Sequence, residues 1–242
     1  MNQQVLWIPQ HSPALDYAAR ELAHHGFEIS GSSDPSVTHI LLPVPCRLAD
    51  DVLKDILASA PDCATVLGGF LHPATAADRQ RINLLEDPYY QAENAMITAY
   101  CALRLGADAL PVTWERCPVL ILGWGRIGKC LSRLLRSLGA EVTVAARKDA
   151  DLALCRALGY HAKTFRKIIG ETANFRVIFN TVPAPVLSAQ AVARCRDDRV
   201  LIELASVPGM EGPGIIDGRG LPGKMAPESA GSLIARTVIR LC

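Results

Sequence analysis

No stretch of this sequence reaches the roughly 18 consecutive apolar residues that a membrane-spanning helix needs, so no span is expected. The balance of charge is close to even, with a net of +1. There is accordingly no electrostatic case for a nucleic-acid partner. The eight cysteines contain no C-x-x-C pair, and none stands near a histidine at zinc spacing. Free and mostly buried thiols in a reducing cytoplasm are expected, with no disulfide frame and no metal. The N-terminal residues lack a basic start and an apolar h-region, so they do not read as a signal peptide. Internal repeats and low-complexity tracts are missing. So are a catalytic His–Glu pair and a G-x-S-x-G nucleophile turn.

What is present is apolar material, 50% of the residues, arranged around positions 118–148. Val119 to Leu122 form a short buried-strand run. Gly123, Gly125 and Gly128 follow as G-x-G-x-x-G. A helical pattern comes next, with Ile127, Leu131, Leu134, Leu135 and Leu138 on one face, and Gly139 closes it. Glu141 to Ala145 give a second strand. The glycines therefore stand between a strand and a helix inside one βαβ unit, where a dinucleotide-binding turn requires them. Gly123 permits the tight turn, Gly125 lets a pyrophosphate approach the backbone, and Gly128 lets helix and strand pack closely. The helix N-terminus, with Arg126 and Ile127, adds free N–H groups and the positive end of the dipole. Trp124 reads as a packing residue that also shields the pyrophosphate.

The second strand bears on which dinucleotide. An NAD site carries an acidic residue about 20 residues past the glycines, for the ribose 2′-OH. Here Ala145 and Ala146 lead to Arg147 and Lys148, which suit a 2′-phosphate. NADP is favoured, and NAD stays open because Asp149 can reach the ribose. After the unit, Val177 to Asn180 form a strand followed by Thr181, Val182 and Pro183. Val200 to Leu204 form another, ending at Ala205 and Ser206. Asn180 and Thr181 are expected to hold the nicotinamide ribose or carboxamide, with Ala205 and Ser206 beside them.

The first hundred residues read β-α-β-α-β, with strands at Val5–Ile8, Phe27–Ile29, His39–Leu42 and Thr65–Leu67. This is the order of a flavodoxin-like parallel α/β domain. Its strand ends present Arg47 and His72, candidates for carboxylate binding and for acid–base work. Tyr89 to Leu105 reads as one helix rich in small residues. Gly218 to Pro222 reads as a turn with a short last strand. The fold class is α/β in two domains: residues 1–110 on the substrate side, and 117–226 as a Rossmann dinucleotide-binding domain. The last helix, within 227–242, packs back on the first.

Four segments resemble the family of the dipicolinate synthase A subunits: VLILGWGRIGKCLSRLLRSLGAEVTVAARK, IFNTVPAPVL, LIELASVPGM and LPGKMAPESAGSLIA. More distantly, the two-domain plan resembles 2-hydroxyacid dehydrogenases. The resemblance implies a Rossmann-fold protein that works with a flavoprotein-like B subunit. It implies NADP-linked oxidation of a cyclic dihydrodipicolinate-pathway dicarboxylate to dipicolinic acid, the calcium chelator of bacterial spores, and hence a place in sporulation. A homo-oligomer is implied as well. The Pro-Gly-Lys context marks Lys224 for a substrate carboxylate or a proton. Asn94 and Thr98 match the family's interdomain helix and are implied as substrate-binding, whereas Tyr100 stands where that pattern has an acidic residue. Two other readings stay open: an NAD(P)-binding accessory or sensor protein, and a dehydrogenase of another small carboxylate.

Overall fold

A computed structural model describes residues 3–70, 76 and 78–242. The chain divides into two compact units. The first combines Met1–Asn94 with Pro222–Cys242, and the second is Ala95–Leu221.

The first unit begins with strand β1 (Val5–Trp7), helix α1 (Pro13–His24) and strand β2 (Glu28–Ser30). Helix α1 starts where Ser12 accepts a hydrogen bond from the Leu15 N–H at 3.3 Å, with Pro13 in its first turn. Strand β3 (His39–Leu41), helix α2 (Asp50–Ser59), β4 (Thr65–Gly68) and β5 (Arg81–Asn83) follow. All five strands pair in parallel in the order β2-β1-β3-β4-β5, the flavodoxin-like arrangement. Strand β5 has only three residues and one apolar side chain among them, which is why no hydrophobic run marks it. Helix α3 (Pro88–Ala109) opens in this unit, and helix α9 (Pro227–Leu241) closes it.

Helix α9 lies against α1 at very close range. A Cβ on Gly231 would stand 2.3 Å from the Ala14 carbonyl oxygen and 2.6 Å from the Tyr17 Cβ. Around that contact Leu233, Ile234, Ala235 and Val238 are buried. Leu233, Ile234 and Val238 each contribute on the order of 1.5–3 kcal/mol when fully removed from water, and Ala235 less.

The second unit contains β6 (Pro118–Leu122), α4 (Arg126–Ser137), β7 (Glu141–Ala146), α5 (Asp149–Ala157) and β8 (His161–Thr164). After them come α6 (Phe165–Ile168), β9 (Val177–Asn180), α7 (Ala189–Ala193), β10 (Val200–Glu203) and β11 (Ile215–Asp217). The six strands are parallel in the order β11-β10-β9-β6-β7-β8. Counted from β6, this is the doubly wound Rossmann order, with its switch point between β6 and β9. Strands β9 and β10 are buried at every position, as parallel strands covered on both faces must be. In α4, Leu131, Leu134 and Leu135 are buried, while Leu138 caps the helix and is exposed.

One expectation is corrected here. The last strand precedes Gly218 rather than following it, and Leu221–Met225 is the short helix α8. Pro222 is tolerated there because the N–H it lacks would have no partner in a first helical turn.

All eight cysteines are free thiols. Cys101, Cys117, Cys155 and Cys195 are buried, while Cys63 and Cys242 are exposed. Burial pushes the Cys155 thiol up to about 11. Among the described residues no helix is long and apolar enough to cross a membrane. No group of three or more His, Cys, Asp or Glu among them is placed to hold a metal ion.

Candidate dinucleotide site

A cavity of about 300 Å³ opens at the carboxyl ends of the strands in the second unit, beside the switch point. Gly123, Trp124 and Gly125 of the β6–α4 turn form one side. Ala146, Arg147 and Lys148 at the end of β7, with Asp151 of α5, form another. Phe165 and the segment Thr181–Val182–Pro183 complete it.

The glycines of the turn are fixed by what surrounds them. Gly123 has a φ of +106°, and a Cβ on it would lie 2.5 Å from Thr181 Oγ1 and 2.8 Å from Val182 Cγ2. That backbone region penalises any residue with a side chain. Gly128 packs helix against strand, since a Cβ there would come within 2.3 Å of the Gly123 carbonyl oxygen. Gly125 is different: a Cβ would meet nothing within 4 Å. Its missing side chain leaves open space on the cavity wall, the room a pyrophosphate needs beside the first amides of α4. No side chain caps those amides.

Trp124 is 8% exposed. Its ring meets Tyr160 edge-on with centroids 5.5 Å apart. The Arg136 guanidinium lies 5.3 Å from the centroid of the same Tyr160 ring and donates to the Leu158 carbonyl. Two aromatic rings and a cation thus brace the turn from the helix side. Trp124 is both the packing residue foreseen and part of the wall.

The two cations and the acid at the end of β7 set the polarity of the site. Arg147 and Lys148 are exposed and line the cavity; Asp151 is half-buried among them. Asp149 begins α5 and does not line the cavity. Charge is unevenly shared between the units. The first carries 8 Lys+Arg against 13 Asp+Glu, and the second 17 against 11, giving −5 and +6. A net positive unit around a basic cavity rim attracts an anionic ligand.

Several expected residues do not line the cavity with their side chains. Arg126 is exposed and Ile127 half-buried, and it is their backbone amides, the first of α4, that stand next to Gly125. Asn180 is fully buried, and its carboxamide is engaged within the protein. Oδ1 accepts from the Val182 N–H at 3.0 Å; Nδ2 donates to the Val182 carbonyl at 3.0 Å and to Glu203 at 2.8 and 3.0 Å. Every polar atom of this side chain, expected to hold a nicotinamide group, thus has a partner within the protein. Thr181 Oγ1 donates to the Leu122 carbonyl at 2.9 Å while the residue lines the cavity. Ala205 is buried, with its N–H on Glu203 at 3.0 Å, and Ser206 is exposed; neither lines the cavity.

In the first unit Arg47 is exposed after β3. The segment before it is stitched to the end of β4: the Cys46 N–H donates to Gly69 at 2.7 Å and the Gly69 N–H to Pro43 at 3.1 Å. Asn83 holds the next residue, accepting from the Phe70 N–H and donating to its carbonyl. Lys224 is exposed on α8. Asn94 and Thr98 lie one turn apart on α3, half-buried and buried respectively. His72 lies outside the described residues.

The sequence reading missed Ala146, Asp151, Phe165 and the Tyr160 brace. Phe165 follows β8, an edge strand of sequence His-Ala-Lys-Thr without an apolar run. Asp151 carried a signal that was readable, an acid in the first turn of the helix that follows Arg147.

No family model matches the chain. It is 27% identical over 233 aligned positions to the A subunit of dipicolinate synthase from Bacillus subtilis (strain 168), covering 85% of this chain and 77% of that protein. The crystal structure of the dipicolinate synthase A subunit from Bacillus halodurans matches with a TM-score of 0.86 at 23% identity, covering 100% of this chain and 98% of that one. A transhydrogenase from Sinorhizobium meliloti matches with a TM-score of 0.73 at 14% identity, covering 98% and 93%. The resemblance read from the four sequence segments is borne out, and so is the α/β class with two parallel sheets.

Proposed function

We propose that the chain is an NAD(P)-linked oxidoreductase subunit of the dipicolinate synthase type. On this reading it oxidises a cyclic dihydrodipicolinate-pathway dicarboxylate to dipicolinic acid, working with a flavoprotein-like B subunit in the cytoplasm. The observation that carries the reading is the cavity at the switch point, with Gly125 open on one wall and Arg147 and Lys148 on another. A nicotinamide dinucleotide fits these residues. Gly123–Gly125 and the start of α4 would hold its pyrophosphate, and Arg147 with Lys148 would hold a 2′-phosphate, which favours NADP over NAD. Asp151 is the residue that would serve a free ribose 2′-OH instead.

The cofactor supplies the acceptor for a hydride when it is bound. Aromatising a dihydropyridine ring removes one hydride and one proton, so the protein must orient the ring and receive the proton. Lys224 is the group proposed for a substrate carboxylate or for that proton; Arg47, Asn94 and Thr98 are proposed for the rest of the substrate. The test is formation of dipicolinate by the purified chain together with its B subunit, with NADP or NAD as acceptor. Product formed only when both proteins and a dinucleotide are present supports the reading; none under any combination overturns it.

Tyr100 favours a second reading. It is 54% exposed where the family pattern has an acidic residue. A chain that binds the dinucleotide tightly yet turns over no carboxylate would be an accessory or sensor protein.

A further inference from the structure

Glu203 ends β10 directly beside Asn180, which ends β9 in the paired register. It is 3% exposed, and no ion pair to it occurs among the described residues. Its two carboxylate oxygens are met by donors only. Oε1 accepts from Asn180 Nδ2 at 2.8 Å and from the Ala205 N–H at 3.0 Å. Oε2 accepts from Asn180 Nδ2 at 3.0 Å, the Gly209 N–H at 2.8 Å and the Met210 N–H at 3.2 Å. A buried carboxylate with no ion-pair partner is costly unless donors satisfy it; here five hydrogen bonds do so, and the Arg219 charge acts on it at longer range. What the carboxylate achieves is geometric. It bends segment 204–210 back over the end of β10, and Gly209 in turn accepts from the Val186 and Leu187 N–H groups at 2.8 and 3.0 Å.

The sheet order gives this geometry a place. Strands β6, β7 and β8 form the first mononucleotide half and supply most of the cavity wall, which segment 181–183 after β9 completes. Strands β9, β10 and β11 form the second half, across the switch point. We propose that Glu203 is a positioning residue for the nicotinamide half of the dinucleotide, acting through segment 204–210 rather than by touching the ligand. The proposal rests on the dinucleotide reading above.

Glu203→Gln separates this role from a general structural one. A carboxamide has one oxygen, so its NH2 group must face either the Ala205 N–H or the Gly209 and Met210 N–H groups, donor against donor. Asn180 keeps both of its bonds to Val182, so the cavity wall at 181–183 is preserved. Calorimetry would compare the full dinucleotides NADP and NAD with their adenylate halves, adenosine 2′,5′-bisphosphate and ADP. In the variant the full dinucleotide is expected to bind about tenfold more weakly, and the matching half-ligand within about twofold of the parent. Asn180→Ala, which frees 181–183 itself, is expected to weaken both ligands.

Equal weakening of full and half ligands by Glu203→Gln, or no change in either, overturns the positioning role while leaving the dinucleotide reading intact. A parent chain that binds none of the four compounds overturns both. Should Glu203→Gln fail to fold, Glu203→Asp, which keeps both acceptor oxygens on a shorter stem, is judged by the same ratio.

Discussion

Thr181 Oγ1 stands 2.5 Å from the position a Cβ on Gly123 would take, and the same hydroxyl donates to the carbonyl of Leu122. The turn after β6 and the segment after β9 are therefore locked together at the switch point. Gly123→Ala would suffer both the clash and a left-handed backbone. Gly128→Ala would press on the Gly123 carbonyl. Each is expected to lower stability by about 2 kcal/mol or more in urea unfolding. Gly125→Ala meets no atom of the protein and is expected to unfold like the parent while binding dinucleotide about tenfold more weakly. A Gly125→Ala chain with unaltered affinity would show that no ligand approaches that backbone.

On the proposed reading Arg147 meets a 2′-phosphate. Replacing it with Ala is expected to remove charge-assisted bonds worth roughly 1.5–3 kcal/mol, about tenfold to a hundredfold in NADP affinity. NAD affinity should change by less than about twofold, so the variant loses its preference for NADP. Equal losses for the two dinucleotides would mean that Arg147 serves the field of the unit and not the phosphate.

Asp87 links the start of α3 to the end of α9. Its Oδ1 accepts from the Tyr90 N–H at 2.7 Å and from Arg240 Nη2 at 2.6 Å. The hydrogen bond from Arg240, joined by that of the Tyr90 N–H, holds the carboxyl below its ordinary 3.8. A depressed carboxylate contributes stability that is complete above the unfolded-state value and is lost as pH falls through the folded-state value. Asp87→Ala removes both cap and ion pair and should cost about 1 kcal/mol at neutral pH. The gap between variant and parent should close as the pH drops below the ordinary carboxylate range. A gap that persisted at acidic pH would assign the loss to packing.

The thiols offer a check on the interior. Cys63 is exposed, whereas Cys101, Cys117, Cys155 and Cys195 are buried and burial raises all four. In the native state a thiol reagent should modify Cys63 readily and these four only after unfolding. Peptide mapping of the labelled chain reads the order directly.

The Rossmann unit was legible because its signals are local. A strand, three glycines at fixed spacing and an amphipathic helix stand within about thirty residues, and Arg147 follows on the next strand. The last strand was misplaced because Gly218 and Gly220 draw attention to the turn, while Ile215–Asp217 offers only two apolar residues ahead of it. Strands β5 and β8 were hidden for the same reason. Edge strands bury little, so their sequences carry no continuous apolar run. Asn180 illustrates a different limit. Its place at the end of a buried strand was readable, but its partner Glu203 lies 23 residues away, and pairing at that distance leaves no mark on either residue's neighbours. Phe165 joins the cavity wall only through the fold.

Titration calorimetry of the purified chain with NADP and NAD tests the central claim most directly. Saturable one-to-one binding, tighter for NADP and weakened by Gly125→Ala, is the expected result. A folded chain that gives no binding heat with either dinucleotide, and no change in tryptophan fluorescence on their addition, would contradict the dinucleotide site and the oxidoreductase reading built on it.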